Sequence, residues 1–127
     1  MRVDPWRDIS LGTVIVERRL FLDGEGTVMV RIGTPLVTDE TPHGESACPF
    51  QIEGLGTGTL RYAVGVDTLQ SLMLALQTIG ADLYASAEYQ AGRLKAFGDG
   101  DDHGDLGFPV IPGCEDLRRS NRQGEAR

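Results

Sequence analysis

The clearest pattern in the chain is a long amphipathic segment that follows directly on a short alternating one. Residues 60–66 alternate between two faces as a β-strand does. Apolar residues then recur at three- and four-residue spacing, which predicts one face of a helix. Asp67 and Gln70 have the spacing of a capping box, so we expect the helix to begin at Asp67. The apolar face predicted for this helix comprises Leu69, Leu72, Met73, Leu76, Ile79, Gly80 and Leu83.

Polar and small residues complete the prediction for this helix. Gly80 lies within the apolar face and costs about 1 kcal/mol relative to alanine. We expect it to allow close approach to a sheet rather than to end the helix. Ser71 and Gln77 are expected largely outside the buried face.

The first two predicted strands form a hairpin. Residues 13–22 and 27–33 alternate in polarity, and the turn between them contains Gly24 and Gly26. Glycine accepts the positive φ angles that a tight hairpin turn requires. Residues 34–45 have the composition of a loop, because prolines, threonines, acids and a glycine are concentrated there.

Three more strands are predicted further along the chain. Residues 47–53 alternate, and because Pro49 cannot donate a backbone hydrogen bond, we expect this strand to lie at an edge or to begin there. Residues 59–64 follow a glycine-rich turn and lead towards the helix. Residues 93–97 are consistent with a short fifth strand.

These elements predict an α+β fold with an antiparallel four- to five-stranded meander and one long helix packed on one face. The other face is expected to be open and to bind a partner or a second copy of the chain as a homodimer. The face expected under the helix carries Val28, Val30, Phe50, Ile52, Leu60 and Tyr62, and the open face carries Met29, Arg31, Gln51 and Arg61.

The length of 127 residues suits a single domain. We expect an N-terminal arm at residues 1–12, one α+β domain at 13–112 and a disordered polar tail at 113–127. Within the arm, the lone Trp6 is expected to dock.

The net charge of −7 constrains the partners of the chain. An acidic surface repels nucleic acid and anionic membranes, and it attracts a basic protein. No apolar run reaches the length of a membrane span, and the N-terminus does not resemble a signal peptide. The cytoplasm is therefore the expected compartment, where Cys48 and Cys114 would be reduced thiols.

An acidic, glycine-rich loop at residues 99–105 is the main candidate for binding chemistry. Counted from Asp99, its sixth residue is the glycine that a calcium loop requires. The twelfth residue, however, is Val110 rather than the required glutamate, so the loop does not complete the calcium-binding pattern. The chain's histidines and cysteines also lack the paired spacing of a zinc site. We therefore expect no metal and no cofactor. The predicted partner-binding residues are Asp99, Asp101, Asp102 and Asp105.

Several motifs together resemble a family of small uncharacterised bacterial proteins, the domain of unknown function of DUF6968 type. They lie at residues 48–56, 61–67, 70–72, 79–84 and 104–109, within a resemblance that covers about residues 13–112. The family implies no known reaction and no catalytic residues.

Two functions remain open from the sequence. The first is a non-enzymatic protein-binding domain, most concretely an immunity protein that neutralises a basic bacterial toxin. The second is a small enzyme or a metal-dependent ligand-binding domain that uses the 99–105 loop. The first is favoured because no nucleophile–base motif accompanies the fold.

Overall fold

The computed structural model describes residues 4–24, 26–40, 43–96 and 104–110. Its strands and helices, in chain order, are β1 (Val14–Leu22), β2 (Gly26–Gly33), β3 (Leu36–Val37), β4 (Ser46–Glu53), β5 (Arg61–Gly65), α1 (Thr68–Ala85), α2 (Ala87–Gln90) and β6 (Leu94–Lys95). Neither of these helices is long and apolar enough to cross a membrane.

The strands form one antiparallel sheet in the order β3, β4, β2, β1, β6, and β5 pairs with β4. After the helices, β6 returns beside β1, with Phe21 opposite Lys95 and Leu22 opposite Leu94. The predicted α+β class with one long helix is confirmed. The described residues form six strands rather than four or five, because part of the expected loop at 34–45 pairs with β4 as β3.

The chain divides into two compact units. The first contains the described residues up to Arg18 together with residues 30–75. The second contains residues 19–29 and the described residues from Leu76 onwards.

β4 is an interior strand of the first unit, so the expectation that Pro49 marks an edge is wrong. Residues 46–50 are all buried, and β4 has neighbouring strands on both sides. A Cβ atom built on Gly33, the last residue of β2, would lie 3.1 Å from Cγ of Pro49.

The pairing of β4 with β5 decides which side chains face the helix. Phe50 lies opposite Arg61, and Pro49 lies opposite Tyr62. The guanidinium of Arg61 covers the Phe50 ring, 5.2 Å from its centroid. Tyr62 therefore lies on the other face from Phe50, and the prediction that both lie under the helix is wrong. A change of one residue in register moves every side chain of a strand to the opposite face.

The N-terminal arm docks on the face that carries Pro49. Trp6 is buried, as predicted. The Leu11 carbonyl lies so close to Gly33 that a Cβ atom there would collide with it. The Tyr62 hydroxyl donates a hydrogen bond to Asp4 Oδ2 at 3.3 Å. The sheet face expected to be open is thus partly covered by the arm.

The residues expected to line that open face are engaged elsewhere. Arg31 forms ion pairs with Glu17 and Glu53. The Gln51 amide donates to the Gly58 carbonyl at 2.8 Å. Arg61 lies on the Phe50 side, as described above, and Met29 is half-buried. These four side chains do not form one free surface.

The start of α1 agrees with the predicted capping box. Asp67 Oδ1 accepts a hydrogen bond from the Gln70 N–H at 2.8 Å. The Gln70 side chain reaches back to the N–H of Val66 at 2.7 Å, one residue before the cap itself. The first bond satisfies a backbone donor that the helix N-terminus leaves unpaired, and the second pairs the N–H just before the cap.

The buried face of α1 differs from the prediction. It follows a four-residue spacing through Ser71, Ala75, Ile79 and Leu83, whereas Leu69 is 63% exposed and Met73 is 49% exposed. Leu72 and Leu76 are only half-buried. The first four members of the predicted face therefore lie outside the core, and Ser71, expected outside it, is fully buried.

Small residues explain why α1 buries a different face from the predicted one. A Cβ atom built on Gly65 would lie 2.6 Å from the backbone nitrogen of Ser71, so the first turn of α1 packs directly against the end of β5. The hydroxyls of Ser46 and Ser71 are 3.0 Å apart. Because the Ser71 hydroxyl donates to the Thr68 carbonyl, Ser46 donates to Ser71. A satisfied polar pair is thereby accommodated in the core.

Gly80 allows a close approach, but not to the sheet. A Cβ atom at this position would collide with the Pro109 carbonyl and would lie 3.2 Å from Cβ of Phe108. Leu106 and Phe108, in the segment that approaches Gly80, are both buried.

Replacing Asp67 with alanine should lower the free energy of unfolding by about 1 kcal/mol, because the cap of α1 is lost. Asp67→Asn keeps an acceptor oxygen and should be nearly neutral. Denaturant melts of the two variants measure the difference. An equal loss in both variants would show that charge, rather than the capping bond, stabilises this end of the helix.

Ile79→Ala should cost about 2–5 kcal/mol, because it creates a cavity on the buried face of α1. Leu69→Ala, at an exposed position of the same helix, should change the free energy of unfolding by less than about 0.5 kcal/mol. Chemical denaturation of the two variants and the wild type measures both changes. Equal losses of unfolding free energy in the two variants would contradict the observed assignment of Ile79 to the buried face and Leu69 to the exposed face of α1.

Candidate functional site

The acidic loop proposed from the sequence lies mostly outside the described residues, which include Asp105 but not Asp99, Asp101 or Asp102. Asp105 Oδ1 accepts hydrogen bonds from the Gly107 N–H at 2.8 Å and from the Tyr84 hydroxyl at 3.5 Å. Its carboxylate thus closes a local turn while its residue remains exposed. A role for these four aspartates in partner binding stays a prediction.

Two buried tyrosines hold the segment that carries Asp105. The rings of Tyr84 and Tyr89 meet edge to face, with centroids 5.0 Å apart. The Tyr84 hydroxyl accepts from the Leu106 N–H at 3.0 Å, and the Tyr89 hydroxyl donates to the Gly104 carbonyl at 2.6 Å. Buried tyrosines need such partners, but the sequence does not reveal which backbone groups provide them.

The first unit exposes a set of large apolar side chains along β5 and the start of α1. Their exposure ranges from 38% at Tyr62 to 66% at Val66. Within the described part of the chain, β5 pairs with β4 alone, which leaves its other edge without a strand partner. We call this the β5–α1 surface, and it consists of Tyr62, Val64, Val66, Leu69 and Met73. Exposed apolar groups beside a free strand edge are typical of interaction sites.

Carboxylates flank the β5–α1 surface. Asp4 accepts the hydrogen bond from Tyr62. Asp67, which caps α1, lies between Val66 and Leu69 in the chain. Burial, followed by the charge and hydrogen bond of Asp4, raises the pKa of Tyr62, so the phenol stays protonated and remains a donor at neutral pH. Exposed apolar side chains and carboxylates therefore occur together along β5 and the start of α1.

A cleft of about 280 Å³ lies between the arm at residues 5–9 and the segment at 36–40. We call it the arm cleft. Trp6, Ile9 and Leu36 contribute apolar wall, and Asp8 and Glu40 contribute carboxylates. Sequence reasoning missed this cleft, because the docking of an arm without periodicity gives no local signal beyond its tryptophan.

Arg7 links the two sides of the arm cleft. Its guanidinium lies 3.0 Å from Glu40 and 3.9 Å from Asp8. The hydrogen bond with Glu40 is the main cause that raises the pKa of Arg7 above its usual value. The ion pair joins the arm to the segment that follows β3.

Burial disfavours Cys48 as a nucleophile at neutral pH. It is fully buried, and its thiol lies 3.8 Å from the Gly33 carbonyl oxygen. Burial raises the pKa of Cys48 to about 11, so the reactive thiolate is scarcely populated. His43 is exposed, whereas His103 and Cys114 lie outside the described residues. Across the ranges that the structure describes, no three His, Cys, Asp or Glu side chains are grouped to hold a metal ion.

The sequence profile of a domain of unknown function, DUF6968, matches residues 16–110. Because the match covers most of the chain, the protein belongs to this family. Searches among curated proteins and among solved structures return no significant match. The family assignment confirms the resemblance carried by the sequence motifs.

The stability of the fold should depend on the Cys48 thiol in alkaline solution. Its folded-state pKa of about 11 exceeds the ordinary value of 9.0, so the folded protein keeps a proton that the unfolded chain loses. The contribution of the protonated thiol to the stability of the fold is complete below pH 9 and is lost as the pH rises towards 11. Relative to Cys48→Ala, the wild type should lose roughly 2–3 kcal/mol over this range in denaturant melts under reducing conditions. Parallel pH profiles would contradict the buried thiol.

Proposed function

We propose that this member of the DUF6968 family is a non-enzymatic protein-binding domain that docks a basic protein on the β5–α1 surface. The observation that carries the proposal is the exposure of five large apolar side chains beside a free strand edge. Burying apolar surface contributes about 25 cal/mol per Å². A partner that covers these side chains would therefore gain a favourable contact at the centre of its interface.

The charge of the chain supports a basic partner. The net charge is −7, and Asp4 and Asp67 place carboxylates next to the apolar side chains. Complementary charge raises association rates and disfavours acidic competitors. A basic bacterial toxin fits this description, and the chain would then act as an immunity protein that neutralises it.

Strand addition is the docking mode that the surface favours. An extended segment of the partner can hydrogen-bond to the free edge of β5, while its side chains contact Tyr62 and Val64 on one sheet face. Leu69 and Met73, both on α1, would contact the part of the partner that follows that segment. Main-chain hydrogen bonds would supply affinity, and the side chains would supply selectivity.

The alternative function, an enzyme or a metal-dependent domain, relies on the loop at residues 99–105. Of its aspartates, only Asp105 lies in the described part of the chain, and that carboxylate accepts hydrogen bonds from Gly107 and Tyr84. These bonds account for Asp105 as a structural residue of its turn. The protein-binding proposal is therefore the better supported of the two.

The proposal can be tested with a Leu69→Ser/Met73→Ser variant, which removes apolar contact from exposed helix positions. The wild-type chain is first used as bait in extract from its native cell, and the retained protein is then purified. Its Kd for the variant should rise at least about tenfold, since central apolar contacts dominate interface energy. Val16→Ser provides the control, because Val16 lies on β1 and its exposure of 50% is close to the 49% of Met73. Equal affinity for the wild type and the double variant would overturn the proposal.

The same purified partner tests the predicted acidic residues. Changing Asp99, Asp101, Asp102 and Asp105 to asparagine removes their charge and keeps an acceptor in the turn at Gly107. If the loop steers the partner, association should slow in this variant, and wild-type association should slow as salt rises. An unchanged rate at low salt would exclude the loop and leave the β5–α1 surface as the binding site.

A further inference from the structure

We infer that the arm cleft binds the cationic side chain of a lysine or arginine residue presented by a partner. The inference rests on the proposed function only in the basic character of that partner. The cleft lies in the same compact unit as the β5–α1 surface, and Asp4 adjoins both, since it bonds to Tyr62 and to the backbone of Trp6.

The walls of the cleft match the two parts of such a side chain. Lysine and arginine bury their aliphatic stems on apolar surface and keep their charged groups near water. In the cleft, Trp6, Ile9 and Leu36 provide the apolar wall, and Asp8 and Glu40 provide carboxylates. An indole ring also attracts a cation through its π-electrons.

The charge balance of the cleft favours a cation over an anion. Among the lining residues, two carboxylates, Asp8 and Glu40, face one guanidinium, that of Arg7, which leaves an excess of one negative charge. Arg7 is also occupied, because it contacts both carboxylates and donates to the Asp4 carbonyl at 2.9 Å. The side chain of Asp8 is 93% exposed and can approach an incoming positive charge.

Local hydrogen bonds hold the walls in place before any ligand binds. The Trp6 N–H donates to Asp4 Oδ1 at 2.9 Å, and the Ile9 N–H donates to the Trp6 carbonyl at 3.0 Å. On the other side, the Glu40 N–H donates to the Thr38 hydroxyl at 3.2 Å. A preformed cleft binds its ligand without a large ordering cost.

The single tryptophan of the chain makes the inference directly measurable, because Trp6 lines the cleft. The full-length protein is titrated with N-acetyl-arginine amide and N-acetyl-lysine amide while tryptophan emission is recorded. N-acetyl-norleucine amide is the uncharged control. We expect at least one cationic probe to give a saturable change with a Kd on the order of 1 mM, and norleucine amide to bind more weakly.

Matched variants identify the carboxylates that recognise the charge. Glu40→Gln and Asp8→Asn should each weaken binding of the cationic probe roughly two- to fivefold. Glu17→Gln removes the same charge on β1, where Glu17 pairs with Arg31, and should leave binding unchanged. If Glu40→Gln alters the emission of the unliganded protein, the arm has moved, and Asp8→Asn decides the outcome.

Three results would overturn the inference. They are a norleucine probe that binds as tightly as the cationic probes, carboxylate variants that bind like the wild type, and the absence of a saturable response to either cationic probe. Each is independent of the β5–α1 experiment. If the Leu69→Ser/Met73→Ser variant binds both the cationic probes and the protein partner as the wild type does, the inferred cleft stands and the proposed β5–α1 surface is wrong.

Discussion

The antiparallel register between β4 and β5 determines the faces of the first unit. With Phe50 opposite Arg61 and Pro49 opposite Tyr62, alternate side chains of β5 are assigned to opposite sides of the sheet. Arg61 then covers the Phe50 ring, while Tyr62 and Val64 remain accessible beside the docked arm. A different register would bury these two residues under the helix and remove the apolar surface on which the proposed function depends.

The entry into α1 reinforces that register. Gly65 ends β5 and lies against the backbone of Ser71, and the hydroxyl of Ser71 bonds to Ser46 across the helix–sheet contact. These short contacts turn Leu69 away from the core, although its spacing resembles that of a buried residue. The capping bonds of Asp67 and Gln70 hold the first turn in this orientation.

The two proposed binding features share one structural support. Asp4 accepts hydrogen bonds from the Tyr62 hydroxyl and from the Trp6 backbone. It therefore links the β5–α1 surface, through Tyr62, to Trp6, which lines the arm cleft. A basic partner seated on the apolar side chains would meet the carboxylates of the arm nearby. Apolar burial would supply affinity, and the cleft would select for a cationic side chain.

Local pattern and composition determined the antiparallel α+β class, the helix start at Asp67, the docking of Trp6 and the acidic character of the protein. Each of these depends on neighbouring residues or on summed charge, so a single sequence is enough. Only the tertiary structure decided the helix face, the interior position of Pro49 and the arm cleft. The reason is that Ser46 and Gly33 act through partners distant in the chain, Ser71 and Leu11. The close approach of Gly65 to Ser71 is local, but like the other two contacts it leaves no periodic signal in the chain.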